Sequence, residues 1–508
     1  MPTSENNEPL LAQLQQRLRE IADLEGAAAV LNWDRVTYMP PGGASARARQ
    51  LATLRQLAHA KFTDPKMGEL LESLELEYRD RPYDSDEASL IRIVRRDYDR
   101  AVRIPAAFLA EFSQHRATCY EAWAKARQAD DFAIVRPYLE KTLELSRERA
   151  SFFPESDHIA DSAIQSADYG YTVAELKPLF EQLRSQLVPI VEAIGDRREI
   201  DDSCLHQHFP EERQLLFCHR AIARMGYDFS RGRQDKTLHP FMTKFSLGDV
   251  RITTRVYESH LGQALFSSIH EAGHALYEQG ISEAFEASPL GRGASSGLHE
   301  SQSRLWENIV ARSRGFWEYF YNQLQGVFLS QLGQISTEKF YRAINKVRRS
   351  LIRTDADEVT YNLHVAIRFD LELALLEGKL SVRDLPEAWR ERYRQDLGIV
   401  PDSDRDGVLQ DVHWYDGAIG GRFQSYTLGN LMSVQFYQQA IAEDPEIPVD
   451  IERGNLQTLH QWLKRNIYRH GSKYTANECL QRVTGQSLSV DPFIHYIREK
   501  YGDLYGLS

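Results

Sequence analysis

Apolar residues recur at threes and fours along most of the chain. Residues 9–30 place Leu11, Leu14, Leu18, Ile21 and Leu24 on one stripe, the signature of an amphipathic helix. Similar patterns predict helices over 50–60, 87–103, 107–128, 134–153, 173–195, 211–225, 257–280, 300–332, 337–353, 358–378 and 456–470. Pro and Gly punctuate between them, as at Pro40-Pro41-Gly42-Gly43. Alternation of period two stands out in one place, 249–256, where Val250, Ile252, Thr254 and Val256 share a side. That predicts a short strand just ahead of the 257–280 helix. No repeat of fixed period and no low-complexity linker interrupts the pattern. The expectation is a mostly α protein spanning 1–508. It is either one large domain or two helical lobes flanking a cleft, with a small β-sheet beside it.

Composition changes this picture little but excludes several classes. Hydrophobic residues make up 42% and charged residues 26% of the 508, an ordinary globular mix. The net charge of −12 disfavours phosphate backbones and anionic membranes as partners, and no long basic run offsets it. No apolar stretch approaches the roughly 18 residues of a membrane span. The first eight residues, Met1 to Glu8, are polar and acidic, unlike a secretory signal. Cys119, Cys204, Cys218 and Cys479 include no C-x-x-C pair and read as free thiols in a reducing cytosol. The expected setting is cytoplasmic.

Chemistry concentrates in His270-Glu271-Ala272-Gly273-His274. Four residues turn a helix by about 400°, so both imidazoles face one way and can bind one divalent metal, typically zinc. Glu271 is swung about 100° round the helix and is placed to reach a water on that metal rather than to ligate it. The surrounding stretch 264–277 is otherwise apolar, so these polar groups need partners or a metal. Gly280 is placed to cap the helix.

A catalytic zinc site takes three protein ligands and keeps one position open. The metzincin extension is broken by Tyr277. The best third ligand is Glu300 in Gly297-Leu298-His299-Glu300-Ser301-Gln302, on a helix capped by Ser295 or Ser296. His299 competes, but neighbours on a helix diverge by about 100°, so only one faces the metal. Glu307, seven residues on, is either a partner to the ligand or a surface pair of Arg304. Asp402 to Gly407 imitates the start of a calcium loop, but position twelve is His413 rather than a bidentate Glu. It reads as an acidic turn.

These motifs do not stand alone. His239-Pro240-Phe241, Asp249-Val250-Arg251-Ile252-Thr253, the His270–His274 stretch, His299-Glu300-Ser301-Gln302, Ile352-Arg353-Thr354-Asp355-Ala356-Asp357 and Gly407-Val408-Leu409-Gln410-Asp411-Val412-His413-Trp414 follow in order, with Asn32-Trp33-Asp34 and Met39-Pro40 upstream. Over nearly its whole length the sequence resembles the carboxypeptidase Taq family of thermostable metallocarboxypeptidases. The resemblance implies a mostly α, neurolysin-like fold with a deep substrate groove. It implies metal-dependent removal of C-terminal residues from peptides, with broad specificity and poor action on a C-terminal Pro. It also implies a homodimer with one divalent metal per chain, zinc or cobalt. Carried over by motif, His270, His274 and Glu300 are the ligands and Glu271 the acid/base.

Two needs of the reaction remain. The tetrahedral oxyanion takes a donor besides the metal, for which His413 and Tyr426 are the candidates. The substrate's free carboxylate is best held by a bidentate Arg. Arg353 is the first choice, against an i,i+4 pair with Asp357, and Arg251 on the strand is the second. The strand itself is a candidate for pairing with substrate backbone by edge addition. Two alternatives compete: an endo-acting oligopeptidase of the thimet type, and a helical binding protein with a structural metal. The thimet type shares the helix motif but has a His where Tyr277 stands.

Overall fold

Helices form where the apolar stripes predict them, and the departures have physical causes. The structure, a computed structural model, describes residues 9–507; the polar stretch Met1 to Glu8, read as lacking a secretory signal, lies outside the described residues. The first helix runs Leu10–Thr37 and buries Leu14, Leu18 and Ile21. The pattern at 300–332 is broken into pieces. A helix over Ser296–Arg304 passes into a wider π turn at Leu305–Val310, and a new helix starts at Arg314, where Ser313 Oγ accepts the Phe316 N–H at 3.1 Å. Both sides of the break bury apolar residues, so periodicity does not reveal it. The helix expected over 337–353 ends at Ile344. There Asn345 Nδ2 donates to the Arg312 and Tyr341 carbonyls.

The chain divides into two compact units, each assembled from three stretches. The first comprises Met1–Arg103, His208–Ala294 and Asp444–Tyr474. It contains the three-stranded sheet and the helix Leu261–Gly280. Strands β1 (Gln234–Lys236), β2 (Met242–Ser246) and β3 (Asp249–Thr254) lie in the order β1-β3-β2, with β1 parallel and β2 antiparallel to β3. The expected strand is therefore the central one, and it ends at Thr254 rather than Val256. Both of its edges are already paired, so edge addition of a substrate to β3 is excluded. Val250, Ile252 and Thr254 are fully buried. The Thr254 hydroxyl meets Ser267 and Ser268 at 2.9 and 3.1 Å, which fixes the end of β3 to the Leu261–Gly280 helix.

The second unit comprises Ile104–Gln207, Ser295–Glu443 and Thr475–Ser508 and is helical. Its central helix, Phe423–Glu443, has no polar stripe because nearly every residue from Phe423 to Phe436 is buried. It packs against Ser296–Arg304 at backbone distance: a Cβ on Gly429 would lie 2.6 Å from Glu300 Cγ. Among the described residues no helix is long and apolar enough to cross a membrane. All four cysteines are free and buried.

Candidate metal centre and active site

The helix Leu261–Gly280 opens with His260, whose Nδ1 accepts the Gln263 N–H at 3.2 Å. Most of its residues are buried, so its polar side chains are held rather than solvated. Gln234 Nε2, from β1, donates to Ser268 Oγ at 2.6 Å. The His270 and His274 rings are 4.9 Å apart and nearly perpendicular, on the one helix face where a four-residue spacing puts them. Glu271 is 7% exposed. Tyr277 is fully buried, stacks on Tyr468 at 5.4 Å and donates to the Gly471 carbonyl at 3.2 Å; it packs the helix. Gly280 is not the cap: it is the last helical residue, and extended Ile281 follows. Its missing side chain admits Tyr468, whose Cβ would lie 2.6 Å from an added Cβ.

Glu300 sits on the short helix Ser296–Arg304, capped by Ser295 Oγ, which accepts the Leu298 N–H at 3.1 Å. Its Oε1 accepts from Arg304 Nε at 2.7 Å and its Oε2 from Ser303 Oγ at 3.3 Å. Arg304 Nη1 also reaches Glu307 at 3.2 Å. Glu307 is thus linked to Glu300 through Arg304, and the pair is largely buried rather than on the surface. Ligand atoms of His270, His274 and Glu300 lie within 4.8 Å of one another. Two imidazoles and a buried carboxylate form a donor set suited to a divalent transition metal, so these residues fit the ion the sequence implies.

The remaining predicted residues fall into two groups. Arg251 is committed: Nε and Nη2 each donate to Asp249 at 2.8 Å, and the guanidinium lies 4.5 Å from the Trp33 ring and 4.8 Å from the Phe245 ring. Arg353, by contrast, belongs to a buried network with His413 and Tyr426. Its Nε donates to Asp411 Oδ2 at 2.6 Å, Nη2 reaches Oδ1 at 3.4 Å and Nη1 donates to Tyr361 Oη at 3.0 Å. The i,i+4 pair with Asp357, the alternative to carboxylate binding, does not form. Asp357 instead accepts the N–H groups of Arg348, Val359 and Thr360.

Asp411 is the hub of this network. Arg368 Nε donates to it at 2.9 Å, and His413 Nδ1 donates to its Oδ1. Burial opposes the Asp411 charge, but Arg353 and Arg368 outweigh it and hold the carboxyl well below the usual range. Burial lowers the His413 pKa, and Asp411 only partly restores it, so His413 is neutral and carries its proton on Nδ1. Its Nε2 is 3.1 Å from Tyr426 Oη and accepts a hydrogen bond from that hydroxyl. Burial raises the Tyr426 pKa, so the phenol stays protonated. Sequence reasoning missed Asp411, Arg368 and Tyr361, and it named Arg304 only as a surface partner of Glu307, without its bond to Glu300. Asp411 lies inside the Gly407–Trp414 motif, two residues before His413, which was the one available signal.

The acidic turn before this motif behaves as expected of a turn: Asp404 binds Arg390 at 2.8 Å and the Phe132 N–H at 3.2 Å.

A family model described as carboxypeptidase Taq (M32) metallopeptidase matches residues 13–501. Thermostable carboxypeptidase 1 of Thermus thermophilus is 42% identical over 498 residues, which cover 96% of this chain and 97% of that protein. Carboxypeptidase 1 of Bacillus subtilis is 35% identical over 489 residues, 96% and 97% of the two chains. The crystal structure of an M32 carboxypeptidase from Deinococcus radiodurans aligns with a TM-score of 0.96 at 49% identity, covering 98% of this chain and 100% of that one. The mostly helical fold with its small sheet, and the family read from the ordered motifs, agree with these likenesses. Membership implies a divalent metal, and the His270, His274 and Glu300 group offers a place for it. The chain belongs to the carboxypeptidase Taq (M32) metallopeptidase family and is a metallocarboxypeptidase.

Proposed function

We propose that the chain, acting as one peptidase domain over its 508 residues, removes C-terminal residues from peptides at a divalent ion held by His270, His274 and Glu300. The observation that carries this reading is the approach of those three ligand atoms to within 4.8 Å, in a chain the family matches from residue 13 to 501. When bound, such an ion lowers the pKa of its water towards about 7 and polarises the scissile carbonyl. Glu271 takes the water's proton and later gives it to the leaving amine. It is buried beside the two imidazoles, which favours that role over solvation.

Tyr426 is the better oxyanion donor of the two candidates. Neutral His413 spends its one N–H on Asp411, so its Nε2 holds the Tyr426 hydroxyl by accepting from it. Turning that O–H towards the developing oxyanion supplies the donor. For the substrate carboxylate we retain Arg353. A guanidinium has five N–H donors, and Asp411 and Tyr361 use three of them. The rest stay on a buried, pre-aimed group. Arg251 is the weaker choice, being clamped by Asp249, Trp33 and Phe245.

Zinc is the proposed metal, with cobalt the alternative, because imidazole and carboxylate donors suit both. The homodimer rests on the family likeness alone, and sedimentation measures it directly. A cytoplasmic setting is supported by four buried free thiols. The decisive test compares one peptide as free acid and as C-terminal amide, with metal content measured in parallel. Cleavage of the acid alone, by a metal-loaded protein, is expected. Equal cleavage of the amide would indicate an endopeptidase of the thimet type. Unchanged hydrolysis after complete metal removal would refute the metal's part.

A further inference from the structure

Asp168 belongs to none of the sequence motifs and is fully buried, 0% exposed. Among the described residues no Lys, Arg or His pairs with it. Its partners are three neutral donors instead. Oδ1 accepts the Gly297 N–H at 2.6 Å, and Oδ2 accepts Ser425 Oγ at 2.6 Å and Gln424 Nε2 at 3.1 Å. A buried carboxylate without a cation opposes folding, so its place in the molecule asks for a reason.

The donors come from only two segments. Gly297 lies in the first turn of the helix that carries Glu300, and Gln424 and Ser425 lie in the first turn of the helix that carries Tyr426. Each oxygen therefore takes hold of a different helix. Both contacts sit close to the residues that matter: Glu300 is one turn after Gly297, and Tyr426 directly follows Ser425. The two helices touch at glycines. A Cβ on Gly297 would meet Asp168 Oδ1 and Leu428 Cβ at 2.9 Å each, and one on Gly429 would meet Glu300 Cγ at 2.6 Å. Such contacts set distance but permit sliding and rotation. A carboxylate bridging the two first turns removes those freedoms, because its two oxygens are rigidly joined.

We propose that Asp168 is a positioning residue of the active site, bridging the two helices so that the Glu300 carboxylate and the Tyr426 hydroxyl keep a fixed spacing. This rests on the reading of Glu300 as a ligand and Tyr426 as the oxyanion donor. Asn at position 168 keeps the size but replaces one acceptor with a donor, facing the Gly297 N–H or the Ser425 hydroxyl.

The test uses the full chain with Asp168→Asn, Ser425→Ala and Glu300→Gln. Zinc affinity of the metal-stripped protein is titrated against a chromophoric chelator, kcat and KM are measured on a free-acid peptide, and folding is checked by circular dichroism. For Asp168→Asn, zinc affinity is expected to fall about 10- to 100-fold, as for other residues that orient ligands. Its kcat should fall at least as far, with KM little changed. Ser425→Ala should move both in the same direction by less, and a variant carrying both Asp168→Asn and Ser425→Ala should be no worse than Asp168→Asn. If Asp168→Asn is folded but less heat-stable, and zinc affinity and kcat per folded molecule are unchanged, Asp168 is only structural and the proposal is overturned. If Asp168→Asn does not fold, Ser425→Ala decides, and wild-type values there overturn it. Glu300→Gln separates the two layers. Wild-type zinc affinity in that variant removes the ligand assignment, and this proposal with it. Loss of zinc there, with none in Asp168→Asn, leaves the ligand standing and overturns this proposal alone.

Discussion

Arg353 and Asp411 form a bidentate pair, Nε to Oδ2 at 2.6 Å and Nη2 to Oδ1 at 3.4 Å, with both side chains nearly closed to solvent. The pair connects two tasks. Asp411 fixes the proton of His413 on Nδ1, and in the proposed reading Arg353 offers its remaining donors to an incoming carboxylate. Arg353→Lys leaves a positive charge for Asp411 but replaces the planar fork with a point charge. KM for free-acid peptides is expected to rise about 10- to 100-fold, the worth of one charged hydrogen bond, while kcat changes much less. An unchanged KM would place the carboxylate on another residue. Asp411→Asn should show the opposite split, a fall in kcat of about 100-fold or more, because the imidazole is no longer held in one tautomer.

Glu271 is the proposed base and not a ligand, so removing its charge should leave the metal in place. Glu271→Gln is expected to retain the wild-type metal content by elemental analysis. Its kcat should fall about 10²- to 10⁴-fold, the usual contribution of a positioned base. Retained turnover would transfer the proton to a different group, and lost metal would make Glu271 a ligand.

Gly429 has no room for a side chain. An added Cβ would lie 2.6 Å from Cγ, 2.7 Å from Cβ and 3.0 Å from the carbonyl carbon of Glu300. The carbonyl carbon cannot swing aside as a side chain can, so the Glu300 helix must move. Gly429→Ala is expected to cost about 1–3 kcal/mol of stability, as overpacking does, and to weaken zinc binding together with it. Equilibrium unfolding in denaturant and chelator competition measure the two separately. A variant that loses stability yet binds zinc normally would show that Glu300 tolerates the shift.

These expectations rest on features that were legible in the sequence to different degrees. His270 and His274 were readable because both lie on one helix, where spacing alone dictates their facing. Glu300 was readable from its cap and motif, and Ser295 does cap that helix. The Asp411 hub was not, because its arginines lie 58 and 43 residues away and no local pattern pairs them. The structural alternative weighed for Arg353 was a neighbour, Asp357, whereas its partner Asp411 comes from a distant loop. In the fold, β3 showed through its buried Val250 and Ile252. By contrast, β1 and β2 are three and five residues long, mostly half-buried, and carry no alternation. The Phe423–Glu443 helix was hidden because its stretch from Phe423 to Phe436 buries polar and apolar residues alike, Gln424, Thr427 and Asn430 among them, which leaves no stripe for periodicity to detect.

Glu372 is buried beneath this network and makes stability depend on pH. Its Oε1 accepts Trp414 Nε1 at 2.8 Å, next to His413, while Oε2 has no hydrogen-bond partner among the described residues. Burial pushes the Glu372 pKa up to about 7, from an ordinary 4.5, despite the Trp414 bond. Below about pH 4.5 the carboxyl is protonated in both folded and unfolded chains, so it adds no slope. Between 4.5 and 7 the unfolded chain releases the proton and the folded chain keeps it, so stability falls as pH rises through that window. Above about pH 7 the loss is complete and amounts to about 3 kcal/mol. Glu372→Gln keeps the acceptor for Trp414 and cannot ionise. The variant is expected to unfold at higher denaturant concentration than the wild type at pH 8.5, and to match it near pH 4.5. If the difference between the two proteins does not grow with pH, Glu372 is already ionised in the folded chain at neutral pH, held by a group other than Trp414.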